Sequence, residues 1–128
     1  MIIVHQLLPA CLIVAVSALA GLASGCTYGH GPEPGPCGDT VAPTYAAVIA
    51  PLVQTHCLEC HGSTVYRTLG NGLDYSTYAL FKNQSPTYLM STLRHEAGSS
   101  AMPKGRPKLS ECDIARIQAW IDAGQLNN

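Results

Sequence analysis

The sequence lacks an excess of charge of either sign. Seven Lys and Arg residues stand against eight Asp and Glu residues, which gives a formal net charge of −1. A nucleic-acid-binding domain normally shows a basic excess, and no dense basic stripe interleaves with the tyrosines here. After the N-terminal segment the chain also lacks an apolar run long enough to span a bilayer. The sequence therefore predicts no nucleic-acid partner and no membrane-spanning helix beyond its N-terminus.

Paired metal ligands are scarce as well. A structural zinc site at Cys57 and Cys60 would need two further ligands, such as a second Cys-x-x-Cys or a His-x3-His pair. Neither pattern occurs. A thioredoxin-like redox pair belongs in a βαβ unit, yet few continuous β-branched runs follow the N-terminal segment. The sequence therefore favours neither a zinc site nor a thioredoxin-like redox pair at Cys57 and Cys60.

What the chain does contain is the run Cys57-Leu58-Glu59-Cys60-His61. Cys-x-x-Cys-His is the attachment signature of c-type haem. Two thiols three positions apart add to the two vinyl groups of one haem, and the following His61 offers its imidazole to the iron as proximal ligand. The run predicts one covalently bound haem c on Cys57, Cys60 and His61, with chance occurrence of a short motif as the alternative.

Residues 1–25 have the pattern of a lipoprotein signal peptide. Ile2 to Ala23 are almost wholly apolar and lead into Ala-Ser-Gly-Cys26, which resembles a bacterial lipobox. Cys26 is then the acylated first residue of the mature chain, although the N-terminal region has no Lys or Arg. The alternative is an uncleaved anchor helix. Either way we expect an extracytoplasmic, membrane-anchored domain, in the periplasm or at the outer membrane or cell surface of a bacterium.

Every cysteine of the chain can be assigned on this basis. Of six cysteines, the signal peptide removes one, the lipid takes one and the haem takes two. Cys37 and Cys112 remain, and an even remainder in an oxidising compartment predicts a disulfide between them. The alternative is two separate buried thiols.

Composition divides the mature chain into a spacer and a domain. Thr27 to Asp39 holds four glycines and three prolines, which is typical of a flexible spacer, and we assign residues 26–40 to it. The domain then occupies residues 41–128. A domain of this size has a marginal core and often depends on a disulfide or a cofactor.

Two predicted helices begin at a proline. Pro51 suits the first position of a helix that leads to Cys57, with Ala50 extended before it. Ser85 caps a second helix that starts at Pro86 and ends before Gly98.

Two more predicted helices begin at hydroxyl caps. Ser76 or Thr77 caps a short helix that runs through Lys82. Ser110 caps the last helix, which has acids in its first turn and stops at Gly124. One face of that last helix is apolar: Ile114, Ile117, Trp120 and Ile121.

Short helices around Cys-x-x-Cys-His resemble the class I c-type cytochromes. That family has a methionine, often followed by proline, in a loop before its C-terminal helix, and Met102-Pro103-Lys104-Gly105 stands there. Its terminal helix carries an aromatic residue that packs near the N-terminal helix, as Trp120 would. More narrowly, the Leu73-Asp-Tyr segment, Met-Pro-x-Gly and Cys112 before the last helix resemble small lipoprotein cytochromes predicted in Bacteroidetes.

The resemblance implies an all-α fold of three to five short helices packed around a covalent haem. It implies Met102 as the sixth iron ligand, opposite His61. The protein would then be no enzyme but a carrier of single electrons between extracytoplasmic redox partner proteins, held at the membrane by its lipid anchor.

The sequence leaves alternatives open for the sixth iron ligand and for the function of the domain. His95 is a rival sixth ligand, and its other explanation is favourable interaction with a helix dipole. If iron were open on one side, the domain would act as a peroxidase-like enzyme or gas sensor. A lipoprotein without haem, stapled by disulfides or zinc, is the remaining possibility.

Overall fold

The computed structural model of the chain describes residues 37–128. The predicted signal peptide of residues 1–25, the acylated Cys26 and most of the spacer at residues 26–40 lie outside the described residues. Within residues 37–128 there are six helical segments and no strand. No helix in that range is long and apolar enough to cross a membrane.

The helical segments follow one another in chain order with a long loop after the third. The first, α1, is a π-helical turn, and the others are α-helices. Their bounds are α1 (Tyr45–Ile49), α2 (Ala50–His56), α3 (Leu58–His61), α4 (Tyr78–Lys82), α5 (Pro86–Leu93) and α6 (Glu111–Asp122). The predicted small all-α fold of the cytochrome c type is confirmed in its helical architecture.

The first two helices run on without a break, and here one prediction is wrong. Ala50 was expected to be extended before Pro51, but it is helical, with φ −60° and ψ −43°. Its N–H bonds to the carbonyl of Tyr45, five residues back, so the chain passes through the proline on a wider π-helical turn. The preference of a pre-proline residue for extended backbone is overridden by this continuous helix.

Hydroxyl caps begin the later helices, as the sequence predicts. Thr77 accepts a hydrogen bond from the N–H of Leu80 at 3.4 Å, and Ser85 accepts one from Tyr88 at 3.4 Å. Ser110 accepts from Asp113 at 3.0 Å. Each cap satisfies a backbone donor that the first helical turn leaves without a partner.

One core holds the helices together. Its side chains come from all helices except α3, with contributions from the segments before α4 and α6. The buried apolar residues are Ile49, Val53, Tyr75, Phe81, Leu89, Met90, Leu93, Leu109, Ile114, Ile117 and Trp120. Helix α6 packs against both α1 and α5, so the last helix closes the core, as amphipathic spacing in its sequence predicts.

The residues that follow α6 form hydrogen bonds with α1 and with α6 itself. Asn128 accepts hydrogen bonds from Tyr45 N–H through its side chain at 3.0 Å and from Ala46 N–H through its carbonyl at 2.9 Å. The Trp120 indole donates to the Leu126 carbonyl at 2.9 Å. The Trp120 and Tyr45 rings lie 5.8 Å apart between centroids, so the aromatic residue of the last helix does pack near the N-terminal helix.

A disulfide joins Cys37 to Cys112, whose Cα atoms lie 5.4 Å apart although 75 positions separate them in sequence. Next to it, the Asp39 carboxylate accepts two hydrogen bonds from Arg116, at 3.0 and 3.1 Å. Bidentate pairing of this kind fixes geometry as well as charge. The beginning of the described chain is thereby held on the first turns of α6.

Candidate haem pocket

The five residues of the Cys-x-x-Cys-His run lie on a single tight turn. Helix α2 continues to Cys57, whose N–H bonds to Val53 at 2.9 Å. The carbonyl of Cys57 then accepts hydrogen bonds from Cys60 N–H at 3.1 Å and from His61 N–H at 2.9 Å. Residues three apart on a helical turn share a face, so the turn brings the two thiols to one side. Both thiols are free and half-buried.

All residues of this run except Leu58 line a cavity of about 840 Å³, within the size range of cofactor pockets. Its walls come from four parts of the chain: the turn at residues 56–61, the loop at residues 67–75, helix α5, and the segment at residues 100–109. The lining includes Cys57, Cys60, His61 and Met102. The structure therefore brings all four predicted haem-binding side chains to one cavity.

The cavity walls suit a large, mostly apolar group. Leu89, Leu93 and Leu109 line it and are buried in the core at their other faces. Two thiols for covalent attachment and two further side chains with iron-binding atoms, an imidazole and a thioether, open into the same space. This donor set is the one that c-type haem requires, so the residues present fit the group.

The orientation of His61 is fixed by a hydrogen bond at the ring edge. Its Nδ1 lies 2.9 Å from the carbonyl oxygen of Leu73. Because a carbonyl only accepts, Nδ1 carries the proton and Nε2 presents its lone pair. A histidine that ligates a metal normally donates its other ring N–H in this way. His61 is only 8% exposed, so the ring is held in place for ligation.

Gly70 makes that arrangement possible by having no side chain. A Cβ at this position would lie 2.6 Å from the carbonyl oxygen of Cys60 and 2.8 Å from Nδ1 of His61. Both distances are shorter than van der Waals contact, so any side chain would push the backbone or the imidazole away. Nothing local in the sequence distinguishes Gly70 from a loop glycine, and sequence reasoning missed it.

Aromatic rings support His61 from the core. The Tyr75 ring stacks on the imidazole at 4.4 Å and 14°, and it meets Phe81 edge-on at 5.4 Å. Phe81 in turn stacks on Trp120 at 5.8 Å. Such pairs add to the apolar burial of each ring, so the imidazole rests on a continuous aromatic series that ends in α6.

Burial also sets the protonation of two groups in the pocket. It raises the pKa of the Cys57 thiol to about 12. It likewise raises the pKa of Tyr75 to about 12, with smaller contributions from Cys57 and Tyr88. A catalytic redox pair needs a thiol with a lowered pKa, and Cys57 has the opposite property.

Met102 reaches the pocket from a loop that we define as the Met102 loop, residues 95–106. The Met102 N–H donates to the carbonyl of Thr92 at 3.0 Å. Its own carbonyl accepts from Nε2 of His95 at 3.0 Å. Met102 is half-buried and lines the pocket, whereas His95 does not line it.

Other methionine, arginine and histidine side chains lie in different places. Met90 is in the core at 4% exposure. Arg94 donates to Gln118 at 2.8 Å and lies away from the pocket lining, whereas Arg67 is part of it. His56, directly before Cys57 in the chain, also lines the pocket.

One ion pair crosses from the haem motif to the Met102 loop. Arg106 donates to the carboxylate of Glu59, one of the two residues between the motif cysteines. Both side chains are more than half exposed. Within residues 37–128, no group of three His, Cys, Asp or Glu side chains is arranged to hold a metal ion.

Comparison with known families identifies the domain. Residues 45–121, more than half of the chain, match the family model described as cytochrome c oxidase, cbb3-type, subunit III. Neither a curated protein nor a solved structure matches the chain significantly. The matched range includes both motif cysteines, His61 and Met102. The chain therefore belongs to this family: it is a cytochrome c domain with covalently bound haem c, and it transfers electrons.

Proposed function

We propose that this protein is a membrane-tethered monohaem cytochrome that carries single electrons between extracytoplasmic redox partner proteins. In this proposal Cys57 and Cys60 would hold the haem by thioether bonds, and His61 and Met102 would bind its iron. The observation that supports it best is the lone pair of His61 Nε2, fixed by the Leu73 carbonyl, in a cavity that Met102 also lines.

The residues around the pocket explain why such a site would transfer electrons and not bind substrates. When bound, haem iron cycles between ferric and ferrous states, and a methionine ligand favours the ferrous state. If His61 and Met102 both bound the iron, they would exclude peroxide and diatomic gases from it. Buried leucines at the walls keep water away, which also raises the reduction potential.

Two measurements test the ligand set. Denaturing electrophoresis followed by peroxidase-type haem staining should give a stained band, because thioether-bound haem stays with the chain. The ferric protein should show the weak far-red band of sulfur bound to iron. Met102→Leu should abolish this band, and the matched Met90→Leu should keep it, since Met90 lies in the core and the two side chains have similar volume.

The other outcomes favour the alternatives. A high-spin ferric spectrum in the unaltered protein would contradict the carrier and favour open coordination, as in a peroxidase-like enzyme or gas sensor. Absence of a stained band after co-expression with a haem-ligation system would favour a lipoprotein stapled by its disulfide.

The proposed membrane anchor is a lipid attached to Cys26. The apolar residues 2–23 and the Ala-Ser-Gly-Cys ending support acylation there, and the Cys37–Cys112 disulfide is typical of an oxidising compartment. We expect labelled palmitate to enter the unaltered protein and the control Cys11→Ser, but not Cys26→Ser. Labelling of Cys26→Ser would contradict the lipid anchor.

A further inference from the structure

The end of helix α5 has an unusual residue for its backbone geometry. The N–H of Glu96 bonds to the carbonyl of Ser91 at 3.0 Å, and the N–H of His95 bonds to that of Thr92 at 3.3 Å. This pair of bonds is a Schellman motif, whose residue after the cap adopts a left-handed backbone and is usually glycine. Here that residue is His95, with φ of 56°.

A histidine in the left-handed region is less favourable than glycine would be. Residues held in such a backbone conformation often have a functional side chain. The imidazole, through Nε2, lies 3.0 Å from the carbonyl oxygen of Met102. Since the carbonyl only accepts, Nε2 is the donor. This bond is available to the neutral and to the protonated ring alike.

The same helix end holds the other backbone group of Met102. The carbonyl of Thr92 accepts from the N–H of His95 and also from the N–H of Met102, the latter at 3.0 Å. Thr92 is only 3% exposed and lines the pocket. Both polar backbone groups of Met102 are therefore bonded near the end of α5, one to Thr92 and the other to His95, the residue after the helix cap.

We infer that His95 is a positioning residue for the sixth iron ligand: its imidazole holds the Met102 carbonyl so that the loop presents the Met102 thioether to the pocket. This inference rests on the proposed role of Met102. It also gives His95 a function other than that of a rival ligand or of a charge at a helix end. His95 does not line the pocket, and its Nε2 is occupied by the bond to Met102.

The test is the rate at which cyanide displaces Met102 from the ferric, haem-loaded protein at fixed pH, together with the far-red sulfur band. His95→Ala removes the donor, so we expect displacement on the order of tenfold faster, the factor that one hydrogen bond of ordinary net strength gives. The band should weaken, since the sulfur is bound to iron for less of the time.

Three further variants separate the hydrogen bond from other effects. His95→Gly also lacks the donor but suits the left-handed backbone, and it should behave like His95→Ala. His95→Gln places an amide N–H near the position of Nε2 and should restore slow displacement at least in part. Ser99→Ala is the matched control, because it removes a bond from the same loop to the same helix, Ser99 Oγ to Ser91 Oγ at 2.8 Å, without touching Met102.

The outcomes distinguish the two proposals. If the unaltered protein shows the sulfur band and His95→Ala displaces no faster, or if His95→Gly restores the slow rate, the positioning role is wrong and Met102 stands as ligand. If Ser99→Ala accelerates displacement as much as His95→Ala, general loosening of the loop replaces the specific role. If the unaltered protein lacks the sulfur band, the assignment of Met102 fails, and the inference fails with it.

Discussion

The two proposed iron ligands belong to regions of very different construction. His61 is buried, its ring edge is bonded to Leu73, and its face rests on Tyr75. Met102 is half-buried on a loop, and its described bonds are to backbone and side-chain groups at the end of α5. The histidine side is a packed part of the core, whereas the methionine side is an exposed loop attached to it at a few points.

This difference indicates which ligand the protein fixes more firmly. Moving the His61 ring would disturb aromatic contacts that extend as far as α6. Apart from its proposed bond to iron, Met102 is held by two hydrogen bonds of its backbone, to Thr92 and His95, each of modest net strength. We therefore expect ligand exchange at the methionine side while the histidine side stays in place, which is the usual relation between loops and packed elements.

The largest expected effect comes from removing the far end of the aromatic series. Trp120 is 1% exposed, so Trp120→Ala leaves a large cavity behind Phe81 and should lower the free energy of unfolding by about 3–5 kcal/mol. Urea denaturation of the haem-loaded protein measures this. Trp120→Phe keeps a stacking ring but loses the bond to Leu126, and it should cost less. A loss below about 1 kcal/mol for the alanine variant would show that core packing does not support the histidine side.

Adding one methyl group next to His61 and one in the Met102 loop compares the two regions more directly. Gly70→Ala places a Cβ 2.6 Å from the Cys60 carbonyl, so we expect a loss of about 1–3 kcal/mol from overpacking and a lower yield of haem-stained protein. Gly105→Ala, in the Met102 loop, has nothing within 4 Å but a φ of +70°. It should cost only the backbone strain, about 1 kcal/mol, with a normal haem yield. Equal haem yields for the two variants would contradict the contrast.

The sequence predicted much of this fold because its signals are local. Hydroxyl caps at Thr77, Ser85 and Ser110 lie next to the turns that they satisfy, and the spacing of apolar residues in α6 is that of one helix face. The haem motif likewise lies within one turn. Each of these patterns is complete within a few residues, so no knowledge of tertiary contacts is needed to recognise it.

The parts that escaped prediction depend on contacts between distant residues. The Leu73 carbonyl that orients His61 is a backbone atom twelve positions away, and no side-chain pattern identifies it. Gly70 is constrained by neighbours that only the folded chain brings together. The helical conformation of Ala50 was also missed, because a local preference before proline gave way to a helix that starts earlier.

Amide hydrogen exchange measures the contrast without any substitution. The Tyr75 N–H donates to the His61 carbonyl at 2.8 Å in a buried residue, and the Met102 N–H donates to Thr92 from the exposed loop. We expect Tyr75 to exchange at least about tenfold more slowly after correction for intrinsic rates, a difference of about 1.4 kcal/mol in opening free energy. Equal protection would mean that both regions open together.

The smallest expected effect concerns the ion pair that joins the two regions. Glu59 and Arg106 are 61% and 52% exposed, and pairs of this kind contribute about 0.2–1 kcal/mol and weaken with salt. A double-mutant cycle with Glu59→Gln and Arg106→Gln measures the coupling, and the Lys108–Glu111 pair, on one side only, is the matched control. Of these two pairs, only Glu59–Arg106 joins the haem motif to the Met102 loop. Its loss should therefore also speed cyanide displacement slightly. A coupling well above about 1 kcal/mol would mean that the loop is fixed more firmly than its exposure suggests, and the contrast between the two ligands would narrow accordingly.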